Sequence, residues 1–145
     1  MRHYDKDGDY INPVNGLAGL LVTDENESSR KRIISIPDSS KEEMYELTKK
    51  EFLRENGVHN GDTTKRTDVY NNLYRKMSKK DRLAAGYTLE KYERIYRQAF
   101  YDAAKKADPN WEIGKPIKDG ALDSVTRETA ESGKSPAQAT LDTKI

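Results

Sequence analysis

The chain has 145 residues and a net charge of +1, with 26 Lys and Arg set against 25 Asp and Glu, so its overall charge nominates neither a nucleic acid nor a cationic partner. It contains no cysteine, which removes disulfides, thiolate metal sites and cysteine nucleophiles together and suits a reducing compartment. Leu, Ile, Val and Phe fall below the roughly one-fifth share associated with disorder, yet the balanced charge predicts a small folded core with polar, loosely attached ends.

Residues 1–19 are rich in turn formers. Asp5, Lys6, Asp7, Gly8 and Asp9 resemble the start of a calcium loop. With Asp5, Asp7 and Asp9 as its first three ligands, however, Tyr10 would stand where the loop needs glycine and Leu17 where it needs a bidentate glutamate. No metal is expected there, only a tight turn between residues 2–4 and 9–11. Leu20, Leu21, Val22 and Thr23, then residues 31–36, are aliphatic and β-branched, and the polar residues 24–30 separate them. This pattern predicts a β-hairpin over 20–36.

Pro37 ends the second strand, and Ser40 with Glu43 forms a capping box that opens a helix of about 40–56. Two further helices follow. Over 67–77, Val69, Leu73 and Met77 share a face, and over 89–107, Leu89, Tyr92, Ile95, Tyr96, Ala99 and Phe100 do so. Thr88 after Gly86 is the expected N-cap of the latter, and Glu90–Arg94 and Glu93–Arg97 are expected as exposed i,i+4 pairs. Trp111 should anchor an irregular segment across these helices. Residues 118–145 read as a weak helix and a flexible polar tail.

The expected fold is therefore α+β and mainly α. It comprises an N-terminal arm (1–19), a globular core (20–117) with the β-hairpin and a small bundle of three to four helices, and an extended C-terminal arm (118–145). With no apolar run near 18 residues, the chain should be soluble and cytoplasmic.

Catalytic signals are weak. Gly133, Lys134 and Ser135 end like a P-loop, but Glu128 stands where its first glycine belongs. His59, with Lys65 and Arg66 near it in sequence, supports a small nuclease-type toxin domain only as a second alternative, since a histidine in a polar loop is ordinarily just solvated. No catalytic residue, cofactor or metal is expected. Clustered cations are the stronger feature. Arg75, Lys76, Lys79, Lys80 and Arg82, with Arg32, would bind nucleic acid in the first alternative reading, although cations also gather at helix C-termini for reasons of the macrodipole alone.

Arg32 to Ile36, followed by a capped helix and a second helix, resembles the ribbon-helix-helix family of DNA-binding dimers. That resemblance implies that Lys31 or Arg32 with Ser35 would enter the major groove. The long connection over 56–67 and the preceding strand depart from the family. The favoured expectation is a non-enzymatic interaction or assembly subunit that binds protein partners, or itself, through its terminal arms. A compact core with such arms resembles virion accessory and connector proteins of tailed phages, which would place it in the virion; this is an analogy of architecture alone.

Overall fold

The computed structural model describes residues 3–59 and 63–133. It is mainly helical, with α1 (Asp38–Arg54), α2 (Thr63–Lys76), a 3-10 turn (Lys79–Asp81), α3 (Arg82–Ala107) and α4 (Arg127–Ser132). Among the described residues no helix is long and apolar enough to cross a membrane. The C-terminal arm from residue 134 onward lies outside the described residues.

The β-hairpin expected over 20–36 does not form, and the fold is not α+β. Extended pairing is confined to the isolated antiparallel bridges Tyr4–Tyr10 and Ile11–Ala18. Local hydrogen bonds explain the loss. Asn26 N and Glu27 N both donate to the Thr23 carbonyl at 3.2 and 3.0 Å, and Arg30 N donates to the Asn26 carbonyl at 2.9 Å. The connection thus coils on itself instead of holding two strands side by side. The second segment is then captured elsewhere: Ile34 N donates to Thr88 Oγ1 at 3.0 Å, and the same hydroxyl donates to the Arg32 carbonyl at 3.2 Å. A backbone that has spent its donors on a side chain cannot also spend them on a ladder.

Those bonds also revise the start of α3. Thr88 is no N-cap; it is fully buried inside a helix that begins six residues earlier, at Arg82. Gly86 is tolerated within α3 for a packing reason. A Cβ there would lie 2.7 Å from the Tyr74 hydroxyl oxygen and 3.2 Å from the ring, so a larger residue would push the tyrosine off the helix. Similarly, α1 starts at Asp38 and not at a Ser40 capping box. Ser40 is fully buried, and its Oγ has no hydrogen-bond partner among the described residues.

The chain divides into two compact units. One comprises Met1–Lys41 with Thr63–Lys91, the other Glu42–Asp62 with Tyr92–Ile145. In the first, Ile36, Val69, Leu73, Ala84, Ala85 and Leu89 are buried, together with Ala18. The second is built on aromatic rings. Phe100 lies with its ring centroid 5.4 Å from Tyr45 and 5.9 Å from Phe52, and Trp111 lies 5.9 Å from Phe52 and 5.6 Å from Tyr101.

Each polar tip in that aromatic cluster finds an acceptor, as buried Tyr and Trp require. Tyr45 donates to the Val125 carbonyl at 3.0 Å, Tyr96 to Glu131 Oε2 at 3.2 Å, and Trp111 Nε1 to the Lys115 carbonyl at 2.7 Å. Arg127 of α4 pairs with Glu42 at 3.0 Å and Glu131 at 2.8 Å. The buried stripe of α3 is rotated slightly from its expected position: Ala104 is 2% exposed where Ala103 was expected inward. Glu93, expected on the wet side, is buried, with its carboxylate 3.4 Å from Arg97.

Candidate functional site

The acidic residues of the N-terminal loop are gathered by local geometry. Asp5 Oδ1 accepts from the backbone N–H groups of Asp7 and Asp9, each at 2.9 Å, while Asp5 N donates to the Asp9 carbonyl at 2.9 Å. Gly8 supplies the left-handed corner with φ of 85°. The side chain of Asp5 thereby mimics a turn of backbone, and Asp5, Asp7 and Asp9 bring one carboxylate oxygen each within 4.8 Å of the others.

The cation among these oxygens is a lysine. Lys79 Nζ donates to Asp5 Oδ2 and Asp7 Oδ2, both at 2.9 Å, and stands 2.5 Å from Asp9 Oδ2. An ammonium has three protons to give, and here each has a carboxylate. The hydrogen bond from Lys79, followed by that from Asp9 N, holds the Asp5 carboxyl below its ordinary value. The hydrogen bonds from Lys79 to Asp9, Asp7 and Asp5 raise the lysine above its own. The sequence reading found the acidic triplet but treated Lys79 as a helix-terminal cation, and nothing local to either stretch marks them as partners.

A second cation completes the attachment of the N-terminal segment. Arg82 Nη1 donates to the Ala18 carbonyl at 2.8 Å, and its Nε donates to the Tyr74 carbonyl at 2.9 Å. The latter is one of the carbonyls that the end of α2 leaves without an intrahelical donor. Asn15 Nδ2 adds a bond to Asn71 Oδ1 at 3.1 Å. The N-terminal arm, as far as it is described, is therefore fastened to its own unit.

Of the six cations proposed for nucleic acid, Lys79 and Arg82 are thus committed to internal contacts. Arg32 donates to the Ser29 carbonyl at 2.7 Å and lies 3.9 Å from Asp81. Arg75 donates to Asn72 Oδ1 at 3.3 Å and Lys76 to Ser39 Oγ at 3.0 Å, while Lys80 is exposed. His59 is exposed as well.

The clasp has a definite pH signature. A depressed Asp5 contributes stability above the ordinary aspartate value of about 3.9 and loses it as pH falls through the lower folded value. A raised Lys79 contributes below the ordinary lysine value of about 10.4 and loses that as pH rises through the higher folded value. Ring-current shifts of Tyr4 and Tyr10, whose centroids are 6.0 Å apart, should consequently stay constant between about pH 5 and 9 and collapse only on stronger acidification. Lys79→Met should abolish them throughout. Native shifts in that variant would show that the lysine does not hold the loop.

The loop over 20–36 is the other exposed feature of the same unit. Leu21 is 54% exposed, Val22 46% and Ile33 51%, although the backbone around them is fixed by the bonds to Thr88 and by Asn26 Nδ2 donating to the Leu21 carbonyl at 3.1 Å. Ordered apolar side chains left in water are the usual mark of a contact surface.

The fold and these features define a mainly helical chain with a fastened N-terminal segment and an apolar loop turned to solvent. Its whole length, residues 1–145, matches the family described as Domain of unknown function (DUF3879), and the chain belongs to that family. Neither the curated proteins nor the solved structures include a match to it.

Proposed function

We propose that this chain is a non-enzymatic interaction or assembly subunit, and that it meets its protein partners through the loop over 20–36. The supporting observation is the joint exposure of Leu21, Val22 and Ile33 on a backbone already immobilised by Asn26 and Thr88. A partner covering these side chains gains apolar burial at about 25 cal/mol per Å², and little ordering entropy opposes it because the loop is ordered beforehand.

The docking surface is thereby placed behind the N-terminal arm and not on it, since the arm spends its polar groups on Lys79, Arg82 and Asn71. The reading carries a cytoplasmic location, or the virion for a phage-encoded chain. Its test is the size of the species the protein forms in the cells that make it. The wild-type chain should migrate in a complex well above its own 16.6 kDa. Leu21→Asp combined with Ile33→Asp should migrate as the free chain with an unchanged circular dichroism spectrum. Co-migration of the two would end the reading.

A further inference from the structure

The charges of the exposed loop are arranged in a self-complementary order. Asp24, Glu25 and Glu27 come first, and Arg30, Lys31 and Arg32 follow. Asp24, Glu25, Glu27 and Lys31 are exposed, and none makes a side-chain hydrogen bond or ion pair with a described residue. Arg30 has its Nε shielded from water and without a hydrogen bond among the described residues. The two signs sit in one loop and yet do not neutralise each other, because the turn bonds from Asn26, Glu27 and Arg30 fix the backbone between them. Apolar residues flank the charges on both sides, Leu21 and Val22 before them and Ile33 after them.

We infer that the loop over 20–36 is a homodimer interface in which two copies of this chain lie antiparallel about a two-fold axis between Glu27 and Ser28. This rests on the interaction reading above and names the partner. In that register Asp24 faces Lys31 of the second copy, Glu25 faces Arg30, and Val22 faces Ile33. A two-fold axis repeats every contact, as an isologous interface must, so four ion pairs and two apolar pairs form together.

A chain of different sequence would have to match acid, base and apolar residue in reverse order, whereas a second copy does so automatically. Contact runs through side chains, since the backbone donors of Asn26, Glu27 and Arg30 are already used. Exposed ion pairs supply little energy singly, so the apolar pairs hold the dimer and the charges set its register and exclude the parallel arrangement.

Sedimentation equilibrium of the purified full chain tests this. The wild type should dimerise reversibly, and more weakly at about 1 M salt, where the screening length is near 3 Å. Asp24→Lys with Glu25→Lys turns all four attractive pairs repulsive and should raise the dissociation constant about 10–100-fold. Arg30→Glu with Lys31→Glu should do the same. Mixing these two double variants at equal concentration should restore association as a heterodimer, and all four substitutions in one chain should restore the homodimer.

Ser28→Cys provides a measurement independent of charge. In a chain otherwise free of cysteine it places two thiols beside the axis, so mild oxidation should give a covalent dimer. Lys106→Cys, exposed on α3 of the other unit, should not. A wild type that stays monomeric overturns the inference while leaving the interaction reading to its own test in cells. Dimers that ignore the charge reversals, or double variants that do not rescue one another, overturn it as well.

Discussion

Phe100→Ala should lower the folding free energy by about 3–5 kcal/mol, the range for removing a phenyl ring from a filled core. Phe100 is fully buried, and its ring lies against Tyr45 and Phe52. Both neighbours are held from behind, Tyr45 by its hydroxyl bond to the Val125 carbonyl and Phe52 by Trp111. They cannot close the void without breaking those contacts, which puts the cost at the upper part of the range. Typical domains have only about 5–15 kcal/mol to lose. The single tryptophan, Trp111, belongs to this cluster, so its fluorescence against urea reports the effect directly. Lys106→Ala, on the exposed side of α3, should shift stability by less than about 0.5 kcal/mol. Equal midpoints for the two variants would remove the aromatic cluster from its place as the stability centre of its unit.

Gly19→Ala is the corresponding test for the other unit. Its φ is 81°, which costs an alanine about 1–2 kcal/mol, and a Cβ there would overlap the Lys79 backbone carbonyl oxygen. A backbone atom cannot swing aside as a side-chain tip can, so a further cost of about 1–3 kcal/mol is expected. The upper limit is set by the docking of the segment itself. Once the sum exceeds that, the residues before Gly19 leave their seat and the rest of the unit stays folded. Gly8→Ala is the control: φ is 85° there also, but a Cβ would meet nothing within 4 Å, so only the conformational cost of about 1–2 kcal/mol applies. Gly19→Ala should release the Tyr4 and Tyr10 ring shifts and Gly8→Ala should largely keep them. Identical behaviour would mean that the close approach to Lys79 does not constrain position 19.

Helical periodicity was the most legible signal in this chain. The apolar spacing through Leu73 and through Leu89, Tyr96 and Phe100 located α2 and α3, because a face that repeats every 3.6 residues has one way to be buried. The first turns of α3 were illegible for an equally physical reason: Gly86 followed by Thr88 reads as a break and a cap. In the structure the glycine makes room for Tyr74 and the threonine ties down residues 32 and 34. The hairpin failed because propensity in Leu20–Thr23 and 31–36 is a local preference, whereas strand pairing depends on which partner reaches the backbone first. At the clasp, the spacing of Asp5, Asp7 and Asp9 announced a shared cation. Its identity could not be read, since Lys79 is brought there only by the fold.

The span of that clasp bears on synthesis. Asp5 and Lys79 are 74 residues apart, and Arg82 and Thr88 are made later still. At about 5–20 residues per second, the aspartates leave the ribosome roughly 4–15 s before their lysine exists. Throughout that interval the aliphatic stretches around Leu21 and Ile33 are in solution without Thr88 to hold them, and such stretches are prone to strand-to-strand aggregation when left waiting. The N-terminal segment is therefore first to be translated and among the last to be seated. Slow codons between positions 40 and 88 would lengthen its exposure and lower soluble yield, with no change in the stability of the finished protein.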